Sequence, residues 1–198
     1  MEPAVPVVGL TGGMGAGKST ALAALERLGA EVLSSDAVVH ELYDGERVRE
    51  AVVGRWGGDV APDGAIDRSA VAAHAFASDE ERAWLESLLW PLVAERTAAW
   101  LAEVRTRMPP PRAAVVEVPL LFEAGLGDAY DATIAVISNE QVRNERASRR
   151  GHAQIDERLA RQLPQEEKAR LATFVVRNDG TEEELEDELS EVLGKLGR

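Results

Sequence analysis

Gly12-Gly13-Met14-Gly15-Ala16-Gly17-Lys18-Ser19 has the spacing G-x-x-x-x-G-K-[ST]. An apolar run, Val7 to Leu10, leads into it, and a helical pattern starts from about Gly17. Glycines let backbone N–H groups curl inward around an anion, since no Cβ obstructs the turn. The helix that follows aims its N-terminus at the same anion. Lys18 then supplies a mobile positive charge for outer phosphates, and Ser19 a hydroxyl for Mg²⁺. The plain alternative is a glycine turn between a strand and a helix. The loop predicts nucleotide phosphate binding, but by itself it does not separate a kinase from a GTPase or an ATPase.

Other residues can complete such chemistry. Asp36 follows the second predicted strand, and ligands of open parallel sheets bind at the carboxyl ends of strands. It can cap a helix, orient a substrate hydroxyl, accept its proton, or touch a hydrated metal ion. Glu117 and Glu123 flank the end of a later strand and can serve a metal or a basic residue, or remain solvated loop charges. Residues 143–162 carry Arg143, Arg146, Arg149, Arg150, Arg158 and Arg161 with few apolar neighbours. Charge runs are usually solvated faces. Here Gly151 between two helical arms suits a short lid that closes arginines over phosphates and excludes water. Asn178-Asp179-Gly180 is a turn expected beside a nucleotide base or the glycine loop.

The elements that must position these groups follow from apolar periodicity. Strands are expected at residues 5–11, 31–34, 113–118, 131–137 and 173–177, most of them continuous apolar runs of the kind buried on both faces. Between the second and third strands the pattern is helical. One helix carries Val48, Val52, Val53 and Trp56, closed by Gly57-Gly58. Pro62-Asp63-Gly64 is a turn, and Asp67 caps the next helix. Asp79 is expected to cap a longer one bearing Trp84, Leu85, Leu88, Leu89, Leu92 and Val93, which Pro91 should kink or break. Thr181 with Glu184 forms a capping box before a final amphipathic helix.

Composition narrows the function classes. The chain has 198 residues, enough for one domain with inserts, and 45% are apolar, which argues against disorder. It has no cysteine, so disulfides and thiolate metal sites are excluded and a cytoplasmic location is allowed. No leading segment reads as a signal peptide, and no apolar run approaches membrane-spanning length. The formal net charge of −13 disfavours nucleic acid as a partner. A GTPase is disfavoured because Arg177-Asn178-Asp179-Gly180 is not the N-K-x-D pattern. A small-molecule kinase fits the length, the helical insert and the arginine-rich segment. A non-enzymatic, nucleotide-dependent regulatory protein is the alternative from another class.

Several pieces together resemble the dephospho-coenzyme A kinase family. They are Gly9 through Ser19, Ser35-Asp36 with His40, Gly64-Ala65-Ile66-Asp67-Arg68, Pro119-Leu120-Leu121-Phe122-Glu123, Arg146 with Arg150, Gln162, and Asn178-Asp179-Gly180. The resemblance spans nearly the whole chain. It implies a three-layer α/β P-loop kinase fold with a five-stranded parallel sheet, a helical substrate-binding insert and a small lid. On that reading the core covers about 1–44, 112–142 and 165–198, the acceptor-binding insert about 45–111, and the lid about 143–164. It implies ATP phosphates on Gly13, Met14, Gly15, Ala16, Gly17, Lys18, Ser19 and Thr20, with Mg²⁺ on Ser19. Asp36 matches the family's expected catalytic base, and Lys18 and Arg146 join it in catalysis. Arg146 and Arg150 match arginines near the transferred phosphate, and Asn178 and Gly180 match the adenine end. The acceptor implied is the ribose 3′-hydroxyl of dephospho-coenzyme A, in a cytoplasmic monomer or weak homo-oligomer. Another nucleotide-like acceptor is the alternative substrate. Two positions depart from the family pattern: Ser34 stands where an Asp is common, and Trp90-Pro91 where His-Pro is common.

Overall fold

A computed structural model describes residues 5–141 and 162–196. Five strands form one sheet: β1 (Val7–Gly12), β2 (Glu31–Ser34), β3 (Ala114–Glu117), β4 (Ala132–Ile137) and β5 (Phe174–Arg177). The spatial order is β2-β3-β1-β4-β5 and every pairing is parallel. The register sets Leu10 beside Glu117 and Ser34 beside Glu117, so β2 and β3 end level and β1 runs two residues further, to Gly12. The central strands are buried along nearly their whole length, as continuous apolar runs require.

Side chains alternate across the sheet, and the two faces of β1 meet different partners. Val8 and Leu10 join a core with Ala21 and Leu25 of α1 (Lys18–Arg27), and with Leu185, Leu189, Val192 and Leu193 of the last helix. Gly9 and Thr11 face the other way. A Cβ on Gly9 would meet the Tyr130 ring at 2.9 Å, and burial there pushes the Tyr130 hydroxyl's pKa up.

Ser35–Trp100 is a compact unit distinct from the one built within Met1–Ser34 and Leu101–Arg198. It contains α2 (Ser35–Asp44), α3 (Glu46–Trp56), α4 (Arg68–Ala75) and most of α5 (Asp79–Val104). Its own core gathers Tyr43, Val48, Val52, Val60, Val71 and Leu89. Asp67 caps α4 as expected, accepting from the N–H groups of Ser69 and Ala70. In α5 a different residue supplies the cap, and the proline leaves the helix whole. Ser78, not Asp79, supplies the cap, its hydroxyl accepting from the Glu81 N–H at 3.2 Å. Nor does Pro91 break the helix, which runs unbroken for 26 residues. A proline inside a helix removes one N–H donor and is tolerated where packing on both sides holds the chain. Leu89 is buried before it, and Leu92 packs on the same core after it.

After the sheet's third strand come β4, then α6 (Gln165–Leu171), β5 and α7 (Glu182–Leu196). The capping box at the start of α7 forms as predicted. The Thr181 N–H donates to Glu184 Oε2 at 2.8 Å, and the Glu184 N–H donates to Thr181 Oγ1 at 3.2 Å.

Candidate active site

The glycine loop spans the gap between β1 and α1. Gly12 is required by proximity, because a Cβ there would overlap the carbonyl oxygen of Val136 on β4. Gly15 at φ +75° and Gly17 at φ +90° hold left-handed backbone that side chains rarely adopt. Gly17 is also the N-cap of α1, and no side chain caps the helix. A helix N-terminus in this position favours an anion received by the loop. Lys18 Nζ donates to the carbonyls of Gly12 at 3.1 Å and Gly13 at 3.4 Å, so the ammonium lies over the loop. Ser19 is exposed in the first turn of α1.

Asn178 fastens the crown of the loop. Its buried side-chain amide donates to the Ala16 carbonyl at 2.9 Å, and its N–H donates to the Ile137 carbonyl. The sequence placed this turn beside a nucleotide base or the glycine loop, and its amide bonds to the loop. Gly180 lies where a Cβ would overlap Glu184 Oε2, the oxygen that closes the capping box on Thr181. Asp179 Oδ1 accepts from the Asn139 N–H.

Two acidic residues stand at the end of β3 and just beyond it. Glu117 is 6% exposed, and Ser34 Oγ donates to its Oε2 at 2.6 Å. The serine in place of an aspartate therefore gives Glu117 a donor where a second carboxylate would repel it. Glu123 Oε1 accepts from Lys168 Nζ at 2.9 Å and from the Leu163 N–H at 2.8 Å. Sequence reasoning missed Lys168. It sits among charged residues, Gln165-Glu166-Glu167-Lys168, and nothing in that pattern separates a buried ammonium from a solvated one. Gln165 was missed because its partner lies 27 residues away. Its side chain brackets the main chain of Ser138, donating to the carbonyl and accepting from the N–H.

Asp36 is exposed in the first turn of α2, two residues past Ser34, and His40 is exposed one turn later. Arg143, Arg146, Arg149, Arg150, Arg158 and Arg161 lie outside the described residues, as does nearly all of the expected lid. Trp90 is 56% exposed on α5. Among the described residues no group of three or more His, Cys, Asp or Glu side chains could hold a metal.

The family model for dephospho-CoA kinase matches residues 6–184. A protein of Geobacter sulfurreducens named dephospho-CoA kinase is 37% identical over 194 residues, covering 96% of this chain and 98% of its own. The crystal structure of TT1252 from Thermus thermophilus superposes with a TM-score of 0.76 at 32% identity, covering 98% of this chain and 99% of that one. A dephospho-CoA kinase from Campylobacter jejuni shares the fold, with a TM-score of 0.66 at 21% identity over 96% of each chain. With the phosphate loop, the parallel sheet and the Pro119–Glu123 segment already in place, these likenesses settle the lineage: the chain belongs to the dephospho-CoA kinase family.

Proposed function

We propose that this protein transfers the γ-phosphoryl group of ATP to the ribose 3′-hydroxyl of dephospho-coenzyme A, giving coenzyme A and ADP, the last step of coenzyme A synthesis. The observation that carries this reading is the phosphate loop, anchored at Ala16 by Asn178, in a chain that its family matches over 6–184. Residues Gly13–Thr20 bind the donor's phosphates through backbone N–H groups and the N-terminus of α1. Lys18, already above the loop carbonyls, neutralises the outer phosphates. Ser19 would hold Mg²⁺ through its hydroxyl, and the ion would supply positive charge to offset that of the donor's phosphates.

Asp36 orients the acceptor's 3′-hydroxyl and takes its proton as the oxygen attacks. Arg146 and Arg150 serve the transferred phosphate, within a lid of about 143–164. The helical segment of about 45–111 receives the coenzyme A moiety. Asn178 and Gly180 serve the adenine end of the donor, and Asn178 also fixes the loop. The protein works in the cytoplasm as a monomer or weak homo-oligomer. No helix among the described residues is long and apolar enough to cross a membrane.

The test is ATP-dependent phosphorylation of dephospho-coenzyme A beside adenosine, AMP, CMP and shikimate, with Mg²⁺ and with EDTA. Metal-dependent conversion of dephospho-coenzyme A alone is the expected result. Transfer only to another acceptor would discard the substrate and keep the kinase. ATP binding with no transfer to any of them would discard the enzyme.

A further inference from the structure

Lys168 is the largest fully buried side chain among the described residues. Lysine is almost never buried without partners, and this one uses all three of its protons. Nζ donates to the Pro119 carbonyl at 2.6 Å, to Glu123 Oε1 at 2.9 Å and to Thr11 Oγ1 at 3.3 Å. The Thr11 hydroxyl donates in turn to the same Pro119 carbonyl at 3.2 Å. Thr11 is the residue immediately before Gly12, where the phosphate loop starts. Pro119 lies two residues beyond the end of β3. The ammonium therefore joins the carboxyl ends of two adjacent parallel strands just past their last rungs, Leu10 beside Glu117 and the Val118 N–H on the Leu10 carbonyl.

Neutralising Glu123 would need only one of these bonds. The other two go to the strand ends. A buried ion pair is in general weak support for stability, since desolvation offsets much of the attraction. What the arrangement does supply is a fixed origin for the loop. On one side of the Thr11–Gly12 peptide is the Lys168 ammonium. On the other, Gly12 packs so closely on the Val136 carbonyl that no Cβ fits. Asn178 holds the crown at Ala16. A loop that binds phosphate through backbone N–H groups depends on their directions, and these follow from where its two ends are held.

We propose that Lys168 is a positioning residue for the phosphate loop, acting through Thr11 and the Pro119 carbonyl rather than by touching ligand. The inference rests on the loop binding ATP, as in the proposed function. Lys168→Met alone would strand Glu123 as an unpaired buried carboxylate, so two other variants carry the test. Lys168→Met/Glu123→Gln removes both charges and keeps an acceptor for the Leu163 N–H. Thr11→Val keeps the shape and removes the hydroxyl. ATP affinity is measured by titration calorimetry without acceptor, well below each melting temperature, alongside the KM for dephospho-coenzyme A.

The double variant is expected to bind ATP at least fivefold more weakly, with acceptor KM within twofold of the parent. Thr11→Val should shift ATP affinity the same way by a smaller factor. A merely structural role would lower the melting temperature without this selective loss. Unchanged ATP affinity in the double variant would reduce Lys168 to a counter-ion for Glu123. Unchanged affinity in Thr11→Val would overturn the inference even if the double variant failed to fold. Parent protein that binds ATP but phosphorylates nothing would overturn the kinase reading and leave this inference standing. Parent protein that binds no ATP would sink both.

Discussion

Lys18 and Asp36 divide the proposed chemistry into binding and proton handling, and their variants should fail differently. Lys18→Ala removes the charge lying over the Gly12 and Gly13 carbonyls. It should weaken ATP binding and lower kcat, together by ~10²-fold or more in kcat/KM, as loss of an electrostatic transition-state contact does. Asp36→Asn keeps the shape and loses the base. Its kcat should fall by ~10²–10⁴-fold with ATP affinity retained, and normal turnover would remove Asp36 from catalysis. Ser34 permits a sharper prediction. Its hydroxyl donates to the buried Glu117, so Ser34→Asp places a second carboxylate against the first. Two such groups cannot both ionise cheaply, and one folded-state pKa must rise. A raised carboxyl pKa contributes stability that is present at low pH and lost as pH climbs through the folded value. The variant's melting temperature should therefore fall below the parent's at about pH 8 and approach it near pH 5. A gap that does not change with pH would show that the two carboxylates do not share a proton.

At the scale of elements, much was legible because it rests on local rules. The five strands, the Asp67 cap, the glycine stop after α3 and the Thr181–Glu184 box are set by residues a few positions apart. What the sequence hid were contacts made across long separations. Lys168 meets Thr11 from 157 residues away. The Asn178 turn was expected beside a base or the glycine loop, but its bond to the Ala16 carbonyl was not. Pro91 does not end its helix for a related reason: its local cost is real, but Leu89 and Leu92 pack on either side of it. The join between α3 and α5 was equally invisible. Glu81 accepts from Arg55 Nε at 3.0 Å, from Arg55 Nη2 at 2.8 Å and from Trp56 Nε1 at 2.7 Å. Trp56 stacks on His74, with centroids 5.4 Å apart, and meets Trp84 edge-on. Hydrogen bonds from Arg55 and then Trp56 hold the Glu81 carboxyl below the usual carboxylate range. A depressed pKa contributes stability above the unfolded value, and that contribution disappears as pH falls through the folded one. Glu81→Gln should thus lower the melting temperature at neutral pH, and the difference should shrink on acidification below about pH 4. Equal differences at pH 7 and pH 3 would show that the charge of Glu81 contributes nothing.

For the whole molecule, the formal charge of −13 means that the general field repels ATP, and attraction must come from local groups. The loop's N–H groups, the uncapped start of α1 and Lys18 are such groups, and all belong to the unit that contains the sheet. The helical unit has a separate core around Val48, Val52 and Val71. Separate cores permit separate local opening, and a ligand slows exchange in the body that it stabilises. Hydrogen exchange read by mass spectrometry should then resolve the two substrates. ATP alone should protect amides at 12–20 and at Asn178, whose N–H is bound to the Ile137 carbonyl, with little change across Ser35–Trp100. Dephospho-coenzyme A should add its protection within that helical unit. If ATP alone slowed exchange equally in both units, the chain would open as one cooperative body. If dephospho-coenzyme A left Ser35–Trp100 unchanged while still being phosphorylated, the acceptor would be held elsewhere, and the role assigned to the insert would fall.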